Sequence, residues 1–191
     1  MEHSWARPRW AWGIAAFLLL DLVKYLSHRL SHAVPLLWRL HRVHHADPDF
    51  DLTTALRFHP LESLLYRCFN LGVILLMAPP AGAVLASELV SCLANFFDHA
   101  NAALPAKWDQ LLRRWIVTPN VHRLHHTDDA ANQGKNLGEL LPWWDRMLGT
   151  YRDPGEVNVP LRIGLGGYQD ASSLDFGRML VEPFLKQRRA P

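Results

Sequence analysis

The chain has 191 residues, enough for one domain with a sizeable core. Its formal charge is +2, from 20 basic and 18 acidic residues. The basic ones are scattered, which speaks against a nucleic-acid binder. Two cysteines, Cys68 and Cys92, both lie inside apolar runs. They exclude a disulfide framework and a thiolate metal site, and they are expected to be buried small hydrophobes.

Ala11 to Leu20 is almost wholly apolar, and the helix-compatible run continues through Leu26. Arg7 and Arg9 precede it, as in a signal peptide, but no small-residue cleavage site follows, so the segment is expected to be retained. A first helix is predicted over 9–33. Asp21, Tyr25, His28 and His32 fall on one stripe of it. The helix therefore leaves the membrane with His28 and His32 on one face, and Pro35 is expected to end it. A second short helix, Leu36 to His45, carries His41, His44 and His45. An aspartate-rich loop follows, with Asp47, Asp49 and Asp51, and 53–60 leads back toward the membrane.

Phe69 to Phe97 is the second long apolar stretch, with one acidic residue, Glu88, and no Lys or Arg. The prolines at 79 and 80 split 61–98 into two arms, 61–78 and 81–98. Each is long enough to span a bilayer at about 1.5 Å rise per residue. The uncharged turn reads as a hairpin that returns the chain to its starting side. Trp108 to Val117 is predicted to be an amphipathic helix at the membrane interface, with Trp108 and Trp115 as belt residues. His122, His125 and His126 follow. From Gly134 the composition is loop-like, with Trp143-Trp144-Asp145 and Gly149-Thr150-Tyr151 as ordered features. Residues 152–191 are predicted to form a soluble cap.

The fold class that results is an all-α integral membrane protein. One N-terminal span and a hairpin carry a helical cap with a histidine-rich dimetal site. The whole chain is read as one domain, with histidine-bearing regions at 28–60 and 99–151. All the histidine clusters emerge on one side. The stretch from His28 to Arg67 carries Arg29, Arg39, Arg42, Arg57 and Arg67, while the hairpin turn is uncharged, so that side is expected to be cytoplasmic. Arg7 and Arg9 on the opposite side weigh against this.

Eight of the eleven histidines fall into three clusters: His28 and His32; His41, His44 and His45; His122, His125 and His126. Residues three or four apart on a helix share a face, so each cluster can aim its imidazoles at one point. Eight imidazoles exceed what one first-row ion holds, which implies two metals. A neutral all-nitrogen set suits iron, copper or zinc better than magnesium or calcium. A hydrolytic zinc pair usually mixes histidine with bridging carboxylates, whereas two redox-active irons with open positions would activate O2. Ligating imidazoles normally donate their other N–H to a carboxylate or carbonyl, and Asp21, Asp98, Asp128 and Asp145 are the candidates. A site beside the bilayer points to lipid substrates. Arg57 and Arg123 stand beside the boxes, as headgroup contacts or as structural pairs.

The runs Asp21-x-x-x-Tyr25-x-x-His28-Arg29-x-x-x-His32 and Leu37-Trp38-Arg39-x-His41-x-x-His44-His45 resemble the fatty acid hydroxylase / sterol desaturase superfamily. So do Thr53-Thr54-Ala55-x-Arg57-x-His59-Pro60, Phe97-x-His99-x-Asn101, and Thr118-Pro119-x-x-His122-Arg123-x-His125-His126. Asn136-x-Gly138 and Trp144-Asp145-Arg146-x-x-Gly149-Thr150-Tyr151 complete a resemblance over about residues 21 to 151. It implies a membrane non-haem di-iron oxygenase that uses O2 and hydroxylates or desaturates a lipid C–H bond. Electrons would come from a separate ferredoxin, cytochrome b5-type protein or reductase. The eight boxed histidines would be iron ligands, joined by His99 and, less directly, His59; no catalytic residue is separate from the ligands. His3 lies outside the pattern.

The H-x-x-x-H spacing and Arg57-x-His59-Pro60 look more like the sterol desaturase branch than the carotenoid hydroxylases. Sterols, acyl chains, ether lipids and carotenoids all stay open as substrates, as does a non-catalytic membrane metal-binding protein. Family members usually carry further membrane helices before the first box, and here one precedes it. A minimal form, a dimer that completes the bundle and an incomplete start are the three readings.

Overall fold

A computed structural model describes residues 9–156 and 161–188. His3, Arg7 and the start of the chain lie outside them. The described residues are mostly helical, with one isolated antiparallel bridge between Thr127 and Ile163. Helix α1 runs Arg9–Ala33 and α2 runs Pro35–His45. Pro35 opens α2 rather than simply ending α1. It sits in the first turn, where its missing N–H costs nothing, and holds Val34 extended at φ −100° and ψ 117°. The one-residue break turns the second histidine cluster back toward the first.

Helices α3 (Pro60–Met77) and α4 (Ala81–Asp98) form the hairpin. Pro60 occupies the first turn of α3, and the His59 side chain accepts the Leu61 N–H at 3.2 Å. At the far end Ala78 is left-handed (φ 42°) and its N–H bonds the Ile74 carbonyl, closing α3 before the two prolines. Three helices are thus long and apolar enough to cross a membrane: Trp10–Ala33, Pro60–Met77 and Ala81–Asp98. Helix α1 packs against α2, α3 and α4. Leu64, Leu71, Leu75 and Leu76 of α3 and Leu85, Leu89 and Leu93 of α4 point outward. Cys68 and Cys92 are exposed as well, contrary to expectation. In a membrane helix the apolar positions need not face a protein core.

The remaining helices are short: α5 (Ala106–Leu112), α6 (Pro119–His125), α7 (Ala130–Gln133), α8 (Trp143–Leu148) and α9 (Phe176–Val181). The helix expected up to Val117 stops at Leu112, and the Val117 N–H pairs with the Leu140 carbonyl instead. Trp108 and Trp115 are 56% and 60% exposed. The segment after 152 caps α2. Arg42, buried, donates to the carbonyls of Glu182 and Leu185 at 2.5 and 2.7 Å and pairs with the Glu182 carboxylate. Tyr168 donates its hydroxyl to that same carboxylate.

Candidate metal centre

The C-terminal end of α1, all of α2, the start of α3, the end of α4 and all of α6 meet at one end of the bundle. There nine imidazoles form two groups. His28, His32, His41, His45 and His125 make one; His44, His99, His122 and His126 make the other. Within each, one ring nitrogen per residue lies within 4.8 Å of all the others. The groups adjoin: the His45 and His126 rings stack at 4.4 Å, and those of His125 and His126 meet edge-on at 5.3 Å. All eight boxed histidines and His99 are therefore brought together. His59 is not; its Nε2 donates to the Leu180 carbonyl while its Nδ1 caps α3.

The donor set fits metal ions. Nε2 atoms approach in pairs: His41 to His45 at 3.2 Å, His44 to His99 at 3.2 Å, His99 to His122 at 3.1 Å and His122 to His126 at 3.2 Å. Two nitrogens at right angles about an ion with bonds of ~2.1 Å stand ~3 Å apart. Buried Nε2 atoms of His28, His32 and His125 have no hydrogen-bond partner among the described residues, a cost that a cation would remove. Burial holds the imidazoles of His44, His45, His122 and His126 well below their ordinary pKa, and neighbouring rings add to the effect. His125 is pushed down to about 3 for the same reasons. Neutral rings are what a metal requires.

Four rings have their far nitrogen fixed by an acceptor. Nδ1–H of His28 donates to the Leu137 carbonyl at 2.8 Å, that of His125 to the Lys135 carbonyl at 2.8 Å and that of His99 to the Asn95 carbonyl at 2.7 Å. His41 Nδ1 donates to Glu62 Oε1 at 2.5 Å. A carbonyl accepts only, so these bonds leave Nε2 as the lone-pair atom facing the cluster. Asp98 also lies 2.6 Å from His99 Nδ1; burial pulls that ring's pKa down, and the Asp98 charge together with the hydrogen bonds at Nδ1 raises it on balance. Each group thus has one histidine backed by a carboxylate: His41 by Glu62, His99 by Asp98.

The other carboxylates act at a distance. Asp145 accepts Leu137 N–H and Gly138 N–H at 2.8 Å each and the Thr150 hydroxyl at 2.6 Å, and so clamps the loop whose carbonyl holds His28. Asp21 accepts the Trp144 indole N–H at 2.7 Å, pinning α8 to α1. Asp128 binds the Gly166 N–H and faces Arg162, away from the rings. Arg57 donates to the carbonyls of Val43 and Ser173 and is structural. Arg123 reaches Asn101 at 3.1 Å and lies over Phe50.

Sequence reasoning missed Glu62 and Glu139. Glu62 carried a signal, as a carboxylate three residues after His59 at the head of an apolar helix. Glu139 had none, being one acid in a loop. Burial pushes its carboxyl up to about 7, with Lys24 opposing.

One space opens from the rings and a second adjoins it. A small one of about 40 Å³ is bounded by His28, His41, His44, His99 and His122, with Phe58 stacked on His44 at 4.4 Å. It shares Lys24, Phe58, Tyr66, Asn95 and Glu139 with a larger cavity of about 280 Å³ among α1, α3 and α4.

The chain is 28% identical to ornithine lipid hydroxylase OlsE of Rhizobium tropici, over 98% of this chain and 55% of that protein. It is 32% identical to alkylglycerol monooxygenase of Danio rerio, over 98% of this chain and 40% of that one. Human alkylglycerol monooxygenase is 31% identical over 81% of this chain and 33% of its own length. The chain thus spans about half, or less, of the curated relatives it matches. No solved structure matches it significantly. The fatty acid hydroxylase family model matches residues 13–150, the stretch that holds all nine converging histidines and the Asp145 clamp. On that match, with the rings arranged as described, this chain belongs to the fatty acid hydroxylase family.

Proposed function

We propose that the chain is an integral membrane oxygenase that inserts oxygen into a lipid C–H bond, with two iron ions held by the nine histidines. One observation carries the reading. Nine imidazoles from four separate segments converge in two adjoining groups, and both open toward a cavity between apolar helices. Relatives named lipid hydroxylases and monooxygenases support hydroxylation over desaturation. The overall change is RH + O2 + 2 e⁻ + 2 H⁺ → ROH + H2O, with the electrons from a separate redox protein. The irons, when bound, would supply O2 activation.

The chain's own residues do the rest. His28, His32, His41, His45 and His125 would hold one ion; His44, His99, His122 and His126 would hold the other. Glu62, Asp98 and the Leu137, Lys135 and Asn95 carbonyls fix the rings. Phe58, and Phe50 at 5.6 Å from His99, keep bulk water from the rings. The arginines between His28 and Arg67 favour a cytoplasmic site, where a soluble donor can reach it. The three spans, the histidine regions and the 152–191 cap act as one oxygenase domain.

The test is lipid profiling of membranes from cells with and without the protein, joined to metal analysis of the purified chain. A gain of one oxygen on a defined lipid and two irons per chain are expected. The substitution His44→Ala should abolish the product while the protein stays in the membrane fraction. Unchanged product from that variant, or freely exchanging zinc in place of iron, would count against the assignment.

A further inference from the structure

The larger cavity carries ionisable and amide side chains on a partly apolar wall although it lies among membrane helices. Lys24 of α1 pairs with Glu88 of α4 at 3.2 Å, and the Glu88 side chain is 47% exposed. Ser27, Tyr66, Asn70, Ser91, Asn95 and Glu139 line the same space. Glu88 stands ten residues before Asp98, so the polar wall runs roughly 15 Å from the metal end toward the middle of the span. Ionisable groups at such depth are expensive and are kept where something polar uses them. A hydrocarbon chain lying there would strip water from these groups and return no hydrogen bond. The volume of about 280 Å³ is at the small end of ligand pockets. It suits a headgroup better than a whole two-tailed lipid. Lys24, Tyr66, Asn95 and Glu139 also border the small space against the histidines, so whatever they hold lies beside the reacting carbon.

We propose that this crevice takes the polar end of the lipid, with its tails left in the bilayer. The carbon oxidised then lies in or next to the headgroup, and Lys24, Glu88 and Glu139 select a head that offers both hydrogen-bond donors and acceptors. This rests on the oxygenase reading for the reaction, but the binding claim stands apart from it.

The test uses the full-length iron-loaded protein in detergent with four probes of equal chain length: a zwitterionic amino-acid lipid, a 1-O-alkylglycerol, a fatty acid and an n-alkane. Binding is read by native mass spectrometry. At least one of the two neutral-overall head-bearing probes should bind about tenfold or more tighter than the alkane. Lys24→Met and Glu88→Gln, checked for unchanged iron content and melting temperature, should each shrink that ratio severalfold. Equal affinity of wild-type protein for all four probes overturns the proposal without any variant. Reaction of the bound probes under labelled O2, with a chemical reductant added to supply the two electrons of each turnover, gives the second reading. Label in the headgroup or on the carbons next to it supports the crevice as a headgroup site; label deep in the tail overturns it. Tight, head-selective binding with no labelled product from any lipid would instead sink the oxygenase reading and leave the crevice standing.

Discussion

If the nine histidines hold iron as proposed, replacing Glu62 by glutamine should weaken that binding about tenfold. Glu62 and His41 are each 2% exposed at the side chain, and their contact is 2.5 Å. A hydrogen bond to an ionised acceptor is worth about 1.5–3 kcal/mol, against about 0.5–1.5 for a neutral one. Glutamine keeps an acceptor oxygen at the same place and loses only the charge. The loss is then about 1–1.5 kcal/mol, close to a factor of ten. Glu62→Ala would leave the His41 N–H unpaired in a buried site and should approach a hundredfold, the upper range for supports of metal-ligating imidazoles. Iron affinity is measured by chelator competition on the purified protein, in a cycle with His41→Ala. In the His41→Ala background the Glu62 substitution should have little further effect. Affinity within twofold of wild type for Glu62→Gln, or fully additive losses in the cycle, would refute the claim that Glu62 acts through His41.

Three further outcomes follow from the same geometry. The metal-free protein should lose stability as pH falls. His44, His45, His122, His125 and His126 have folded pKa values below the ordinary one, so below about 6.5 the unfolded chain takes up protons that the folded cluster refuses. The loss sets in as pH falls through the unfolded value, and His125, with a folded value near 3, keeps adding to it well below pH 5; a melting temperature that stays flat between about pH 7 and 5 would contradict this. Gly138→Ala would place a Cβ 2.9 Å from both Asp145 Oδ2 and the Leu141 carbonyl. It should cost about 1–3 kcal/mol and lower iron content by shifting the loop that holds His28; wild-type denaturation and metal content would overturn it. Arg42→Met leaves the buried Glu182 carboxylate to Arg178 and Tyr168 and frees two carbonyls of the cap, a loss of about 1–3 kcal/mol. Limited proteolysis should then cut within 165–188 faster than in wild type, and an unchanged rate would show that the cap is held by other contacts.

Much of this architecture was legible locally. Helix α1, the hairpin and α2 follow from apolar run length, the Pro79-Pro80 turn and helical spacing, because those signals act within a few residues. The three histidine boxes could be read in the same way, since i, i+3 and i+4 positions share a face whatever the rest of the chain does. Partners far apart in sequence could not. No periodicity ties His28 to the Leu137 carbonyl 109 residues away, or His41 to Glu62 on another helix. Nor does it foretell that Asp145, read as a direct support of the rings, acts one step back through the backbone of residues 137 and 138. The histidine content itself determined that this chain carries three clusters of imidazole donors, each aimed along one helix face. Only the packing of α1, α2, α4 and α6 decided that the imidazoles divide five and four, that His99 joins while His59 caps a helix, and that a crevice with polar side chains leads to them. The physical reason is range: a spacing pattern specifies which way a side chain faces along its own element, whereas coordination, burial and cavities exist only once separate elements are pressed together.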